Sequence, residues 1–198
     1  MWKFLKSATN KSSWIKTNEI QVCLWGRSNV GKSSLLNALI GQNISFVSKN
    51  PGRTQLINYF EDNNGKLVVD LPGYGFANMS KEAQVKMINN IKSFLTDTST
   101  KKYIFLLIDS RTGITKTDVE YLAFLRSLNW PISLVYTKLD KLNQKEKAQL
   151  IKQIDSEIAE GNLMGINEIF TISSKTGRNM NELVSFIDKV LYGENYEE

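Results

Sequence analysis

Apolar residues along this chain form short continuous runs that alternate with longer segments of helical periodicity. The runs at 20–25, 103–108 and 131–136 are continuous, as in parallel strands that are covered on both faces, and 168–172 gives one more strand. Residues 55–61 and 66–70 also read as strands. The D-N-N-G turn between them predicts that these two strands pair antiparallel.

Helical periodicity follows most of these strands. The predicted helices begin after residue 32 and then cover 81–96, 116–128, 143–160 and 179–191. Their inward faces are predicted from apolar spacing: Leu35, Leu36, Leu39 and Ile40; Val85, Ile88, Ile91 and Leu95; Val119, Leu122 and Leu125; Ala148, Ile151, Ile154 and Ile158. The alternation predicts an α/β fold, a doubly wound six-stranded sheet with five parallel strands, one antiparallel edge strand and helices on both faces.

Residues 26–33 read GRSNVGKS and fit the phosphate-binding P-loop pattern G-x-x-x-x-G-K-[ST] between a strand and a helix. Backbone N–H groups of such a loop, together with the helix N-terminus, bind phosphate oxygens. Lys32 is expected to pair with the β- and γ-phosphates and Ser33 to bind Mg²⁺. The predicted contacts are Gly26, Arg27, Ser28, Asn29, Val30, Gly31, Lys32 and Ser33. The loop predicts a P-loop NTPase but does not by itself separate ATP from GTP. The motifs described next favour the small-GTPase type.

A D-x-x-G segment follows the predicted strand 66–70 and consists of Asp70, Leu71, Pro72 and Gly73. At the strand end, the Asp70 carboxylate is expected to hold Mg²⁺ through water, and the Gly73 N–H to meet the γ-phosphate. Residues 62–65 match the same pattern, but they form a hairpin turn where no phosphate is expected.

The segment Thr137, Lys138, Leu139 and Asp140 resembles the guanine-binding N-K-x-D motif. A carboxylate at Asp140 can accept from both guanine N1–H and the exocyclic amine, which adenine lacks. Thr137 replaces the usual asparagine and is shorter, so guanine affinity is expected to be modest. A second T-K-x-D, at 115–118, opens a helix, where Asp118 is predicted to be an ordinary first-turn acid.

Two further stretches complete the predicted nucleotide contacts. Thr54 precedes a strand, where a GTPase threonine reaches Mg²⁺ and the γ-phosphate; its neighbours Gly52, Arg53, Gln55 and Leu56 are included with it. Ile172, Ser173, Ser174 and Lys175 follow the last strand and resemble the loop that reads guanine O6.

Composition narrows the chemistry. The chain has 198 residues, a net charge of +5, one cysteine and no histidine. These counts exclude an intrachain disulfide, a cysteine-based zinc site and a histidine general base. Cys23 is expected to be a small core residue. Residues 1–18 are predicted to be a basic extension rather than a targeting segment, 19–193 a GTP-binding domain and 194–198 an acidic tail.

The segments GRSNVGKS, PGRTQLINYF, DLPGYGFA and TKLD together resemble the EngB (YihA/YsxC-type) GTPases of the TRAFAC class, over residues 20 to 192. The resemblance implies a monomeric, cytoplasmic, Mg²⁺-dependent GTPase that assists late assembly of the large ribosomal subunit and is linked to cell division and septation. Trp25 departs from the family pattern, which has a small residue before the P-loop.

Hydrolysis is expected to be slow, because Tyr74 occupies the position of the water-orienting glutamine of Ras-like enzymes. Lys32, Thr54 and Gly73 are the predicted catalytic groups. Asn29 resembles the asparagine of K⁺-activated GTPases, with K⁺ in place of an arginine finger; the alternative is an asparagine that stabilises the turn. Arg27 and Arg53 are candidate cis fingers or solvated loop charges.

Two other functions remain open at this stage. A P-loop phosphotransferase or ATPase would need an adenine site, against which Asp140 argues. A signalling switch with only a protein partner is harder to separate from a ribosome-binding GTPase. No run of apolar residues is long enough for a membrane span, so no membrane partner is expected.

Overall fold

One mixed sheet forms the centre of the molecule. The structure, a computed structural model, describes residues 2–41, 56–75 and 79–193. Its seven strands are β1 (Lys3–Ala8), β2 (Gln21–Gly26), β3 (Ile57–Glu61), β4 (Leu67–Asp70), β5 (Lys102–Asp109), β6 (Ile132–Thr137) and β7 (Ile166–Thr171). They lie in the order β1-β3-β4-β2-β5-β6-β7. Five neighbouring strands, β4, β2, β5, β6 and β7, are parallel to one another. The predicted doubly wound fold is confirmed.

Five α-helices cover the two faces of the sheet. They are α1 (Lys32–Ile40), α2 (Lys81–Thr96), α3 (Lys116–Arg126), α4 (Gln144–Ala159) and α5 (Met180–Tyr192). Buried apolar residues form one cluster beneath α2, α3 and α4 and a second beneath α1 and α5. The ends of the predicted strands and helices agree with the observed ones to within two residues.

The predicted strand count was one too low. Lys3–Ala8, within the predicted basic extension, pairs antiparallel with β3 and forms the edge of the sheet. The strand β3, which was expected at the edge, is therefore an inner strand. Of the residues in β1 only Ala8 is fully buried, and a register shift interrupts the pairing between Phe4 and Lys6. An edge strand with so few buried positions has a weak hydrophobic signature.

Five residues predicted to face inward are exposed instead: Val85, Val119, Ala148, Ile151 and Ile158. In α2 the buried residues are Met87, Ile91, Phe94 and Leu95. Val85 precedes Met87 by two residues, which rotates it by roughly 200° around the helix. Apolar spacing alone therefore located the helix correctly and misassigned part of its buried face. Within the described residues, no helix is long and apolar enough to cross a bilayer.

Candidate nucleotide-binding site

The predicted nucleotide motifs meet at one edge of the sheet, because they follow parallel strands at their carboxyl ends. The P-loop connects β2 to α1, and Asp70 is the last residue of β4. Thr137 ends β6, where it lies opposite Asp109 at the end of β5. Residues 172–175 follow β7. The structure thus brings together motifs that lie more than a hundred residues apart in the sequence.

Backbone conformation in the P-loop depends on two residues with positive φ, Asn29 at 62° and Gly31 at 106°. A Cβ at Gly31 would lie 3.4 Å from Thr137 Oγ1 and 3.5 Å from Lys138 Cε. Glycine therefore fits both the left-handed backbone and the limited space. Gly31 precedes α1, and no described side chain caps this helix. Its first N–H groups are suited to an anion.

Lys32 and Asp70 come into direct contact, as Lys32 Nζ donates to Asp70 Oδ1. Both side chains are largely buried. The ammonium expected at the phosphates and the carboxylate expected near Mg²⁺ thus share one location. The two opposite charges therefore lie against each other beside the P-loop.

Thr137 ties the guanine motif to the P-loop rather than to solvent. Its hydroxyl donates to the Val30 carbonyl and also lies 3.2 Å from the Ile108 carbonyl, and the side chain is buried. Despite its shorter side chain, Thr137 thus makes a hydrogen bond to the P-loop from a buried position. The expectation of modest guanine affinity stays a prediction.

Lys138 is held from two sides. Its Nζ donates to the Asn29 carbonyl and, at 2.9 Å, to Asp109 Oδ2. Lys138 has a left-handed backbone, with φ at 60°. The stem of the side chain crosses the P-loop near Gly31, where it can lie along a planar base.

Asp109 was missed by the sequence reasoning. Its carboxylate accepts from the backbone N–H and the guanidinium of Arg111 as well as from Lys138. Burial opposes its ionisation, but hydrogen bonds from Arg111 and Lys138 outweigh this and hold the pKa of Asp109 well below its usual range. The available signal was an acid at the end of a continuous apolar strand.

Asp140 lies in a 3₁₀ turn, Leu139–Lys141, beside the loop after β7. Ser173 Oγ donates to Asp140 Oδ1 at 2.7 Å, and this hydrogen bond is the main cause of a lowered pKa for the Asp140 carboxyl. Leu139 N–H also donates to the Ile172 carbonyl at 3.0 Å. The two predicted guanine segments are therefore joined, with one oxygen of an ionised Asp140 left to accept from a base.

The Tyr74 side chain, expected at the position of a water-orienting glutamine, points into the protein interior. Its ring is buried, and its hydroxyl donates to Asp118 Oδ1 at 2.7 Å. Asp118, predicted to be an ordinary first-turn acid, does close a capping box with Thr115, but it is also fully buried. Burial, and then the adjacent Asp118 charge, raise the pKa of Tyr74.

The Arg27 guanidinium, considered above as a cis arginine finger or a solvated charge, is paired with other side chains. Its Nε lies 3.2 Å from Asp118 Oδ2, and its terminal nitrogen donates to Thr112 Oγ1 at 2.7 Å. Trp25 fills the space beneath the loop, where its indole N–H donates to the Pro72 carbonyl at 3.0 Å. The residue that departs from the family pattern is therefore fully accommodated.

The remaining predicted contacts divide into three groups. Gly52, Arg53, Thr54 and Gln55 lie outside the described residues, while Leu56 is half-buried. Five residues have buried side chains or no side chain, so they can offer a ligand only backbone groups: Val30, Leu71, Pro72, Gly73 and Leu139. Ser33, Asn29 and Lys175 are exposed, and Ser28 and Ser174 half-buried.

The side-chain oxygen atoms near Lys32 are suitable ligands for a hard cation. Ser33 offers a hydroxyl and Asp70 a carboxylate, the oxygen ligands that Mg²⁺ prefers. No group of three or more acidic, histidine or cysteine side chains within the described residues could hold a metal ion alone. A metal held by one or two protein ligands and by nucleotide phosphates fits this set.

Comparison with known proteins identifies the family of this chain. Residues 21–138 match the family model described as 50S ribosome-binding GTPase, and residues 88–192 match that of the elongation factor Tu GTP-binding domain. The chain is 55% identical to the probable GTP-binding protein EngB of Mycoplasmopsis agalactiae over 97% of this chain and 99% of that protein. The chain belongs to the EngB family of GTP-binding proteins. EngB of Metamycoplasma arthritidis is 42% identical over 95% of this chain and all of its own length.

Solved structures agree with the EngB assignment. A crystal structure of a probable GTP-binding protein EngB has a TM-score of 0.66 and 30% identity, covering 86% of this chain and 98% of that one. The structure of Era with MgGDPNP and nucleotides of 16S ribosomal RNA has a TM-score of 0.65 and 30% identity, covering 92% and 60%. The family and the P-loop fold make this protein a GTPase that binds guanine nucleotides.

Proposed function

We propose that this EngB-family GTPase acts as a slow nucleotide switch in late assembly of the large ribosomal subunit. The observation that carries the proposal is the match of residues 21–138 to a family described as 50S ribosome-binding GTPases. The net charge of +5 is compatible with binding to ribosomal RNA. Family resemblance adds a link to cell division and septation. The same family resemblance implies that the protein is a monomer and that it acts in the cytoplasm.

In the proposed site, Lys32 and the P-loop amides bind the phosphates, Gly73 N–H meets the γ-phosphate, and Asp140 selects guanine. Ser33, Thr54 and Asp70, the last through water, would hold Mg²⁺, which would supply positive charge to neutralise the phosphates. Water attacks the γ-phosphorus, and the bond from this phosphorus to the bridging oxygen breaks with its electron pair left on GDP. The attacking oxygen loses one proton to a phosphate oxygen or to solvent, and GDP and phosphate result. Catalysis consists of positioning and charge neutralisation, to which Lys32, Thr54 and Gly73 contribute.

Slow intrinsic hydrolysis follows from the chemistry of Tyr74. A buried phenol that donates to Asp118 has no free group with which to orient the attacking water. The chain also has no histidine that could take this role. The expected result is a single-turnover rate in the range of unstimulated small GTPases, about 10⁻⁴ to 10⁻³ s⁻¹.

K⁺ is proposed as a second cation near Asn29. This side chain is exposed on a left-handed turn whose own carbonyl is taken by Lys138. Hydrolysis measured in equal concentrations of KCl and NaCl tests the assignment. Faster turnover in KCl supports a K⁺ ligand at Asn29, whereas equal rates leave Asn29 as a residue that stabilises the turn.

Binding to ribosomal subunits tests the proposed function. We expect the protein to sediment with large subunits in the presence of a non-hydrolysable GTP analogue, less with GDP, and less as salt rises. Small subunits serve as the control. Nucleotide-dependent capture of a protein, without sedimentation with either subunit, would favour the alternative, a signalling switch with only a protein partner.

A further inference from the structure

Asp118 has more partners than a helix cap needs. Its Oδ2 accepts from the backbone N–H of Thr115 at 2.8 Å and from the Thr115 hydroxyl at 2.7 Å. Its Oδ1 accepts from the Tyr74 hydroxyl at 2.7 Å, and Arg27 Nε lies 3.2 Å from Oδ2. The carboxylate is fully buried. A buried charge with this many donors fixes the position of every group that contacts it.

Tyr74 is also fixed through its backbone. Its N–H donates to the Gly26 carbonyl at 3.2 Å, and its carbonyl accepts from Ser28 N–H at 2.7 Å. This short ladder places Gly73 directly against the P-loop. A Cβ at Gly73 would lie 3.0 Å from Ser28 N and 3.2 Å from the Gly26 carbonyl oxygen.

Aromatic packing completes the arrangement. The Tyr74 ring lies edge-on to Trp25, with centroids 5.3 Å apart, and 4.1 Å from the ring of Tyr121 on α3. Trp25 also binds the Pro72 carbonyl. The segment 72–74 is thus held at the carbonyl of Pro72, at both backbone groups of Tyr74 and at its hydroxyl.

We propose that Asp118 is a positioning residue for GTP: through the Tyr74 hydroxyl it holds Gly73 against the P-loop, ready for the γ-phosphate. The proposal rests on the proposed role of Gly73. Asp118 acts through Tyr74, since its carboxylate is fully buried and accepts from the Tyr74 hydroxyl. It also pairs with Arg27, and this pairing keeps the guanidinium beside α3.

A preorganised Gly73 favours GTP over GDP, since only GTP has a γ-phosphate for this N–H to meet. Loss of the Tyr74–Asp118 hydrogen bond releases the segment, so that it has to be ordered again when GTP binds. That cost falls on GTP affinity alone. The ratio of GTP to GDP affinity therefore reports on the bond, whereas general destabilisation of the protein does not change it.

Tyr74→Phe is the first test, because it removes one hydroxyl and keeps the ring. We expect GTP-analogue affinity to fall about five- to tenfold and GDP affinity to change less than twofold. The matched control is Tyr103→Phe, which also removes a buried phenol hydrogen bond, to Ser133 at 2.8 Å, far from the loops. It should leave the affinity ratio unchanged.

Asp118→Asn is the second test. The amide must turn its NH₂ toward groups that now donate to the carboxylate, so the same change in ratio is expected. The double variant should show no further change, because both substitutions remove one interaction. An unchanged ratio in Tyr74→Phe overturns the proposal. Failure of the unmodified protein to bind either nucleotide would instead contradict the proposed function.

Discussion

Asp109 and Lys138 are joined by a hydrogen bond of 2.9 Å between Oδ2 and Nζ, across neighbouring strand ends. The same ammonium donates to the Asn29 carbonyl, so the carboxylate fixes the lysine over the P-loop. Lys138 belongs to the guanine motif, whereas Asp109 belongs to none of the predicted motifs. Their contact suggests that guanine affinity depends on an acid outside the motif itself.

Asp109→Asn should therefore weaken GDP and GTP alike. The amide removes the charge that holds Lys138 and loses at least one acceptor, so we expect about a tenfold loss for each nucleotide, measured with fluorescent analogues. In a Lys138→Met background the same substitution should have little effect. Unequal losses for GDP and GTP would contradict a role at the base.

Base selection by Asp140 makes a second prediction. Guanine presents two donors, N1–H and the exocyclic amine, to a carboxylate, whereas xanthine has a carbonyl in place of the amine. Asp140→Asn offers one acceptor and one donor, which suits xanthine. Ser173, at 2.7 Å, can still donate to the amide oxygen.

We expect Asp140→Asn to lose about a hundredfold in GDP affinity and to gain affinity for XDP, as shown by competition binding. Asp155, an exposed acid on α4, provides the control, since Asp155→Asn changes the net charge equally. Retained preference for GDP in the Asp140 variant would place guanine recognition elsewhere.

The metal assignment yields a third prediction. Ser33→Ala removes one proposed Mg²⁺ ligand from the P-loop and leaves the base site intact. The affinity of the unmodified protein for GTP should fall when EDTA removes Mg²⁺, and the affinity of the variant should respond much less. Ser34→Ala, one residue further along α1, is the control. Equal sensitivity to EDTA in all three proteins would exclude Ser33 as a ligand.

Local sequence signals predicted most of this fold, since the motifs lie at strand ends and the runs between them are strongly apolar. The P-loop, Asp70 and Asp140 could be located from such signals. The side-chain contacts of Asp118 could not be predicted from local signals, because its partners come from three separate parts of the chain. The edge strand Lys3–Ala8 was missed for a related reason: its hydrogen bonds to β3, rather than burial of its side chains, define it.

Tertiary contacts also changed the meaning of residues that had been noticed. The T-K-x-D segment at 115–118 lies at a helix start, as expected, and Asp118 closes a capping box there. Its acid nevertheless holds Tyr74, which no local pattern indicates. Trp25 was noticed as a departure from the family, but its role followed only from the rings of Tyr74 and Tyr121 packed around it.

Cys23 gives a prediction on the pH dependence of stability. The thiol is fully buried in β2, and burial raises its pKa from 9.0 to about 12, while the nearby Lys102 ammonium opposes the shift. In the unfolded chain the thiol ionises near its ordinary pKa. The folded state thus binds more protons above pH 9, and the stabilising contribution of this group is lost as pH rises from 9 through about 12.

Cys23→Ala removes this dependence. The free energy of unfolding of the unmodified protein should therefore decline more steeply than that of the variant above pH 9, by up to about 1.4 kcal/mol per pH unit. Urea titrations at pH 7.5, 9 and 10 measure the difference. Tyr136, whose raised pKa comes from burial and from Glu157 and Asp118 rather than from Cys23, is common to both proteins, so its contribution cancels. Parallel curves would show that Cys23 ionises as readily in the folded protein as in the unfolded chain.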